Sequence, residues 1–293
     1  MGILRTIFQK AARLYPREHG KYSILTRIYF PFLAPKSGTV VKSKLRYNIT
    51  MVLDITEYLQ AHLYIFGDYE LPTIRFLRSV LRPGSVCLDV GAQMGYLTLA
   101  MATSADRQTV VHSFEPELNN AERFRENIKL NDLTNVTLHQ TAVSTVDGML
   151  KLYLSNDRNA GTHSTVYIES NVSTEFVEIP SVRLDSFVNT HRLTSIDMIK
   201  IDVEGAEIDV INGAINVLIE HKPIIITELS DRLQQARGQT CREFKELMLD
   251  YGYQAYSIND NGTLQPCPLQ AQHVNDNIVF VHAESRLRPG NLA

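Results

Sequence analysis

Carboxylates and glycines recur at points where an apolar run gives way to a helical pattern, and together they suggest one chemistry. The first point is Asp89-Val90-Gly91-Ala92-Gln93-Met94-Gly95-Tyr96. Glycines at a strand-to-helix turn let the backbone approach a ligand, and the free N–H groups of a helix N-terminus favour an anionic group. The second is Phe114-Glu115-Pro116, whose acid lies 24 residues beyond Gly91. A lone acid at a strand end is usually only solvated, but this spacing from a glycine turn suits an acceptor for both hydroxyls of a ribose. Asn120, Asn127 and Asn131 follow, where capping and surface roles compete with a ligand role. The third is Ala142-Val143-Ser144, small residues suited to flank a flat base. The fourth is Lys200-Ile201-Asp202-Val203-Glu204-Gly205-Ala206-Glu207. Asp202 and Glu204 have the chemistry to hold a cationic cofactor, coordinate a divalent metal or act as general base. Glu207 suits the positive end of the next helix, a structural role. Glu228, closing Ile224-Ile225-Ile226-Thr227-Glu228, is expected to reach the same crevice.

The glycine spacing narrows the ligand. A dinucleotide turn needs G-x-G-x-x-G, whereas Gly91 and Gly95 stand alone and leave less room for a pyrophosphate, which disfavours a nicotinamide dehydrogenase. The D-x-G-x-x-x-G spacing fits S-adenosylmethionine instead. A sulfonium methyl is already electrophilic, so the protein need only align an acceptor, exclude water and remove a proton. The candidate bases are Asp202, Glu204, Glu228 and His163, although a loop histidine is more often structural. A divalent metal beside Asp202 is the less favoured alternative, and no residue is assigned as a metal ligand. Glu70 is expected to fold over the cofactor's amino group, with an ordinary helix-surface acid as the alternative.

These residues need a frame. After Pro83-Gly84, short apolar runs alternate with helical patterns, the mark of βαβ units and a parallel sheet. Strands are expected at 86–90, 110–114, 136–143, 198–203 and 224–229, with helices at 96–102, along the Leu118–Ile128 face, over Ile208–Leu218 and around Phe244–Tyr251. Two terminal strands, 254–258 and 278–282, have no helix between them and read as an antiparallel pair at a sheet edge. Residues 147–190 show no helical pattern and read as a β-rich insertion with a flexible tip at Asn159-Ala160-Gly161-Thr162. Upstream, 39–54 reads as a hairpin and about 72–81 as a helix. Ile3, Leu4, Ile7, Phe8, Ala11, Leu14 and Tyr15 recur at helical spacing opposite Arg5, Gln9, Lys10 and Arg13, a short basic amphipathic helix. Its apolar face is expected to pack on its own domain or on a dimer partner, with contact to a membrane surface or an anionic substrate as rivals.

Composition bounds the rest. The 293 residues are 44% hydrophobic and 21% charged, as in an ordinary globular chain of one large or two smaller domains. No apolar run is long enough to span a bilayer, and the basic N-terminus is a poor secretory leader. Three cysteines without metal-like spacing indicate neither a disulfide framework nor zinc, so a reducing cytoplasm is expected. Residues 1–46 hold ten Lys/Arg and one acid, giving +9, so the other 247 residues carry −12 of the −3 net charge. An acidic body argues against a nucleic-acid partner.

From about Tyr47 to His282 the chain resembles the FkbM-type S-adenosylmethionine-dependent methyltransferases. The resemblance rests on Ile65-Phe66-Gly67-Asp68-Tyr69-Glu70, the 89–96 loop, Phe114-Glu115-Pro116, Leu184-Asp185-Ser186-Phe187 and, most specifically, Ile199–Glu207. Gln93-Met94 departs from the family's usual Asn and small or β-branched pair, though Gln keeps the hydrogen-bonding capacity. The resemblance implies an α/β, Rossmann-like class I methyltransferase fold: a seven-stranded, mostly parallel sheet of order 3-2-1-4-5-7-6 with helices on both faces. It also implies methyl transfer to oxygen on a natural product, sugar or lipid. The expected division is a basic arm (1–46), a cap or substrate region (47–83) and a methyltransferase domain (84–293) carrying the 147–190 insertion. The expected cofactor contacts are Glu70, Asp89, Gly91, Ala92, Gln93, Gly95, Tyr96, Glu115, Pro116, Asn120, Ala142, Val143 and Asp202. Rival readings are methylation of a peptide amine or carboxylate, and a non-catalytic, membrane-associated cofactor-binding protein.

Overall fold

The computed structural model describes residues 2–15, 20–36, 38–155, 163–165, 172–274 and 276–290. The expected insertion tip at 159–162 therefore lies outside the described residues, as does Met1. The chain begins with α1 (Gly2–Ala12) and α2 (Lys21–Ile24), which runs into a π-helical segment, Leu25–Leu33. The hairpin β1 (Val40–Lys44) and β2 (Thr50–Asp54) precedes α3 (Tyr58–Phe66) and α4 (Leu71–Val80). Then come β3 (Val86–Val90), α5 (Tyr96–Ala102), β4 (Val110–Phe114), α6 (Leu118–Leu130) and β5 (Val136–His139). A second sheet is formed by β6 (Ala142–Val143), β7 (Gly148–Ser155) and β8 (Val172–Val182), followed by α7 (Leu184–His191). The chain continues through β9 (Met198–Ile201), α8 (Glu207–Asn212), α9 (Ile215–His221), β10 (Ile224–Leu229), α10 (Asp231–Ala236) and α11 (Cys241–Asp250). It closes with β11 (Tyr253–Ile258), β12 (Leu264–Pro266) and β13 (Asp276–His282).

The main sheet runs β12-β11-β13-β10-β9-β3-β4-β5. Counting its strands from β3, the order is the expected 3-2-1-4-5-7-6 with short β12 added at the edge. The five strands from β5 to β10 are parallel, whereas β13 is antiparallel to both neighbours. Alternation explains why the central strands are apolar on both faces. Cys87, Met198, Ile224 and Ile226 enter one core with Leu53, Leu77, Leu99 and Val111. Leu88, Val90, Ile199, Ile201 and Ile225 enter the other with Phe114, Phe187, Phe244 and Phe280. The upstream hairpin shares the first core and is fixed by amides: Asn127 Oδ1 accepts from Val52 N at 2.9 Å, and Asn131 Oδ1 from Thr50 N at 2.8 Å.

Several expectations need correction. The third strand stops at His139; Ala142-Val143 pairs with Ser181-Val182 in the second sheet. Residues 147–190 contain the start of helix α7, whose Leu184, Phe187 and Val188 bury at i, i+3, i+4 spacing while Asp185 accepts from Val217 N at 3.1 Å. The helix expected over 208–218 is two helices, α8 and α9, broken at Gly213, where a Cβ would lie 2.1 Å from the Ser144 carbonyl oxygen. Helix α10 carries too short a pattern to be recognised from spacing. The N-terminal amphipathic helix forms, but its apolar face packs on its own domain only in part: Phe8 joins Leu25, Tyr29 and Ile65, whereas Ile3, Leu4, Ile7 and Leu14 are exposed.

Candidate active site

The glycine turn between β3 and α5 is shaped by packing. Gly91 has φ 82°, and a Cβ there would lie 1.8 Å from the Asp202 carbonyl oxygen. Gly95 has φ 91°, and its Cβ would enter the Phe124 ring. These glycines let the ends of β3 and β9 and helix α6 close together, and so bring Asp202 beside the turn. Asp202 N donates to Val90 O at 2.9 Å.

Glu115 ends β4 and is buried. Its Oε2 accepts from Gln93 N at 2.8 Å, and its Oε1 accepts from Glu117 N at 2.9 Å. Burial raises its carboxyl to about 7 against the opposing backbone hydrogen bonds. Two donors fix its rotamer while lone pairs remain toward the cavity, which also contains Gly91, Gln93, Pro116, Asn120, Ala142 and Val143.

The opposite wall carries the carboxylates Glu70, Asp202, Glu204 and Glu228. Behind them lies Lys200, 2% exposed, with its Nζ 3.4 Å from Asp202 Oδ2. Burial alone would lower the lysine, but Asp202, Glu70, Glu228 and Asp89 outweigh it and raise its affinity for a proton. The carboxyls respond in kind. Burial, then Asp202 and Glu70, push Glu228 up to about 10; burial, then Asp202 and Glu207, push Glu204 up to about 8. Glu70 is raised by burial against the pull of Lys200, and its Oε2 is buried without a hydrogen-bond partner. One lysine faces four acids. Positive charge is short at this wall, and Glu70, Glu204 and Glu228 are pushed toward their protonated forms.

Backbone strain gathers at the same place. Gln93 (φ 51°), Glu204 (φ 51°) and Glu70 (φ 47°) are non-glycine residues held left-handed, and all three line the cavity. The insertion closes it from above, where His163, Thr165 and Leu152 contribute to the wall. Ser164 Oγ donates to Glu204 O at 2.8 Å, tying the insertion to the loop after β9.

Four expected contacts stand outside the cavity. Asp89 is buried and accepts from Thr98 Oγ1; burial raises its carboxyl to about 6. Ala92 O accepts from Gly95 N at 2.8 Å, Gly95 packs on Phe124, and the Tyr96 hydroxyl accepts from Tyr69 N at 3.2 Å. These residues build the turn and do not line the cavity. Glu207 has the structural role expected of it: it accepts from Gly205 N at 3.0 Å and from Gln234 Nε2 at 2.6 Å. Sequence reasoning passed over Lys200, although a lysine inside the apolar run Met198–Ile201 is itself a signal, since a buried charge requires partners. It also passed over Tyr58, Leu59 and Tyr69, whose aromatic and aliphatic pattern reads as core.

Tyr69, Glu70 and Glu228 also belong to a second cavity, bounded by His62 and Thr73 on one side and by Ser257, Gln265, His273 and Asn277 on the other. Both ring nitrogens of His62 and Oδ1 of Asn277 are buried without partners. Burial, then the Lys21 charge, lowers His62 to about 3, so it is neutral at physiological pH. Among the described residues, no group of three or more His, Cys, Asp or Glu converges to hold a metal ion.

Residues 89–255 match the methyltransferase FkbM domain. The chain belongs to the FkbM methyltransferase family. It is 29% identical over 163 residues to the 2-O-methyltransferase NoeI of Sinorhizobium fredii, covering 52% of this chain and 65% of that protein. It is 26% identical over 245 residues to the AMB antimetabolite synthetase AmbE of Pseudomonas aeruginosa, covering 73% of this chain but only 11% of AmbE. Among solved structures it is similar to the FkbM methyltransferase of Methylobacillus flagellatus, with 14% identity, a TM-score of 0.48 and coverage of 75% of this chain and 52% of that one. The chain thus spans less than two thirds of each of these relatives. The family match begins at Asp89 and ends at Ala255, so α1 to α4 lie outside it.

Proposed function

We infer that this FkbM-family chain transfers a methyl group from S-adenosylmethionine to a hydroxyl of a natural product, sugar or lipid-like acceptor. The observation that carries the reading is the charge imbalance: four carboxyls around one lysine make a wall that a cation completes. S-adenosylmethionine supplies an activated methyl group on such a cation, and its nucleoside matches the donors and acceptors present. Glu115 would accept the ribose hydroxyls, Phe114, Ala142 and Val143 would pack beside the base, and Asp202, Glu204 and Glu70 would face the ammonium and sulfonium charges.

The second cavity supplies the acceptor side. Its unpartnered atoms, Glu70 Oε2, Asn277 Oδ1 and a ring nitrogen of neutral His62, are hydrogen-bond acceptors. A ligand rich in O–H donors satisfies them, and an anionic ligand meets the acids Glu70, Glu228 and Asp276 instead. Glu228 faces both cavities, and burial with its acidic neighbours raises its proton affinity to about 10, which suits it to take the hydroxyl proton once a bound cation has ionised it.

Calorimetry with S-adenosylmethionine, followed by transfer assays on sugar, peptide-amine and carboxylate acceptors, tests the reading. Cofactor binding with turnover on a hydroxyl is expected. No binding by the intact protein defeats the cofactor assignment, and turnover confined to amines defeats the hydroxyl.

A further inference from the structure

Helix α1 is docked inside out. Its polar side faces the protein: Arg5 Nε donates to Leu33 O at 3.1 Å, Gln9 Nε2 to Tyr64 O at 2.7 Å, and Arg13 to Lys44 O at 2.9 Å and Tyr64 O at 3.1 Å. Phe8 and Ala12 join Leu25, Tyr29 and Ile65 on that side. Its apolar side faces outward, with Ile3, Leu4, Ile7 and Leu14 exposed to 79%, 62%, 59% and 83%. At 100° per residue Ile3, Leu4 and Ile7 occupy an arc of about 100° on the helix, and exposed Leu14 follows in the turn after its end. Ile28 and Phe32, on the π-helical segment that Arg5 ties to α1, are also exposed. An apolar stripe that wide has a partner in ordinary proteins.

The surrounding charge identifies the partner. Lys10 flanks the stripe, and Arg27, Lys36, Lys42 and Lys44 are exposed on the same N-terminal segment. The segment's only acid, Glu18, lies outside the described residues. A two-fold pairing of this face would bring two segments of +9 together. An anionic lipid surface instead complements the exposed Lys10, Arg27, Lys36, Lys42 and Lys44 and repels the acidic body, which orients the chain. Among the described residues, no helix is long and apolar enough to cross a membrane, so the geometry is that of a helix lying in the interface with its apolar side in the acyl boundary. Helix α3, against which α1 docks, places Tyr58 and Leu59 in the cofactor cavity and His62 in the second cavity, so one helix joins the stripe to the site.

We propose that α1 and the neighbouring Ile28–Phe32 turn form a docking face for anionic membrane surfaces. The proposal is independent of the acceptor and of the cofactor. It is tested by co-sedimentation of the full chain with phosphatidylcholine vesicles, with and without about a third of phosphatidylglycerol. Binding that requires the anionic lipid, falls with added salt and drops at least about tenfold in an Ile3→Ser, Ile7→Ser, Leu14→Ser variant supports it. All three side chains are exposed, so that variant keeps its circular dichroism and melting temperature, and Lys10→Glu produces a smaller loss. The proposal is overturned by absence of sedimentation with either vesicle, by equal binding of the variant, or by a lipid-free dimer that the variant dissolves.

Discussion

The two cavities that meet at Glu228 are built in opposite ways. Tyr58 and Leu59 of α3 and His163 and Thr165 of the insertion aside, the first cavity is built from local junctions: the 89–96 turn, Glu115 after β4, Asp202 and Glu204 after β9. In an open parallel sheet all such junctions lie at the carboxyl edge, so local motifs converge without needing one another. The second cavity draws His62 and Thr73 from α3 and α4, Glu228 from β10, and Ser257, Gln265 and Asn277 from the terminal strands. His62 and Thr73 lie more than 150 residues before the others, and the segments share no motif. The first cavity, proposed for the cofactor, is thus written largely in short words, while the second, proposed for the acceptor, depends on which distant segments the fold brings together.

The sharpest way to break this contrast is to alter the shared wall. Glu228→Gln copies the protonated state that burial and its acidic neighbours favour, so the fold persists. Turnover is expected to fall about 10²- to 10³-fold with cofactor affinity little changed, a split read by steady-state kinetics beside calorimetry. Unchanged kcat would remove Glu228 from proton transfer. Next in size, Glu115→Ala removes the acceptor fixed by Gln93 N and Glu117 N. The Kd for S-adenosylmethionine is expected to rise about 100-fold while acceptor KM stays level. A comparable rise in acceptor KM would mean that the two cavities are not separate.

His62→Ala tests the other side. It removes a neutral ring whose nitrogens have no partner in the protein, so acceptor KM is expected to rise about tenfold with cofactor Kd unchanged, checked by the same two measurements. The smallest effect is that of pH. Glu204 and Glu228 are raised to about 8 and about 10 in the ligand-free protein, so they hold protons that a bound cation displaces. Cofactor affinity should therefore climb severalfold from pH 6 toward pH 9, with net proton release seen as a dependence of calorimetric heat on buffer ionisation enthalpy. S-adenosylhomocysteine, lacking the sulfonium charge, should show a shallower rise. The same raised values make a stability contribution that is complete below the unfolded carboxyl range and is lost as pH climbs through about 8 to about 10, so ligand-free melting temperature falls over that window while cofactor offsets the loss.

The hairpin, the carboxyl-edge location and most of the acid cluster were legible because each follows from period, punctuation and junction, all local properties; the strand order came instead from the family resemblance carried by motifs such as Ile199–Glu207. The places where residue roles were not legible share a cause. Asp89, Gly95 and Tyr96 belong to the right motif, but what they do is decided by Thr98, Phe124 and Tyr69, which arrive from other elements. Lys200 lay in plain view within a strand, yet its meaning depends on four acids supplied by other turns.

Helix α1 divides the two kinds of information most cleanly. Spacing alone specified an amphipathic helix, because backbone geometry and side-chain period are properties of the segment. Which side would face the protein was settled by the carbonyls of Leu33, Lys44 and Tyr64, which accept from Arg5, Gln9 and Arg13 and leave the apolar stripe outside. Periodicity fixes that a helix has two faces. Only the polar groups waiting at its docking site determine which face turns inward.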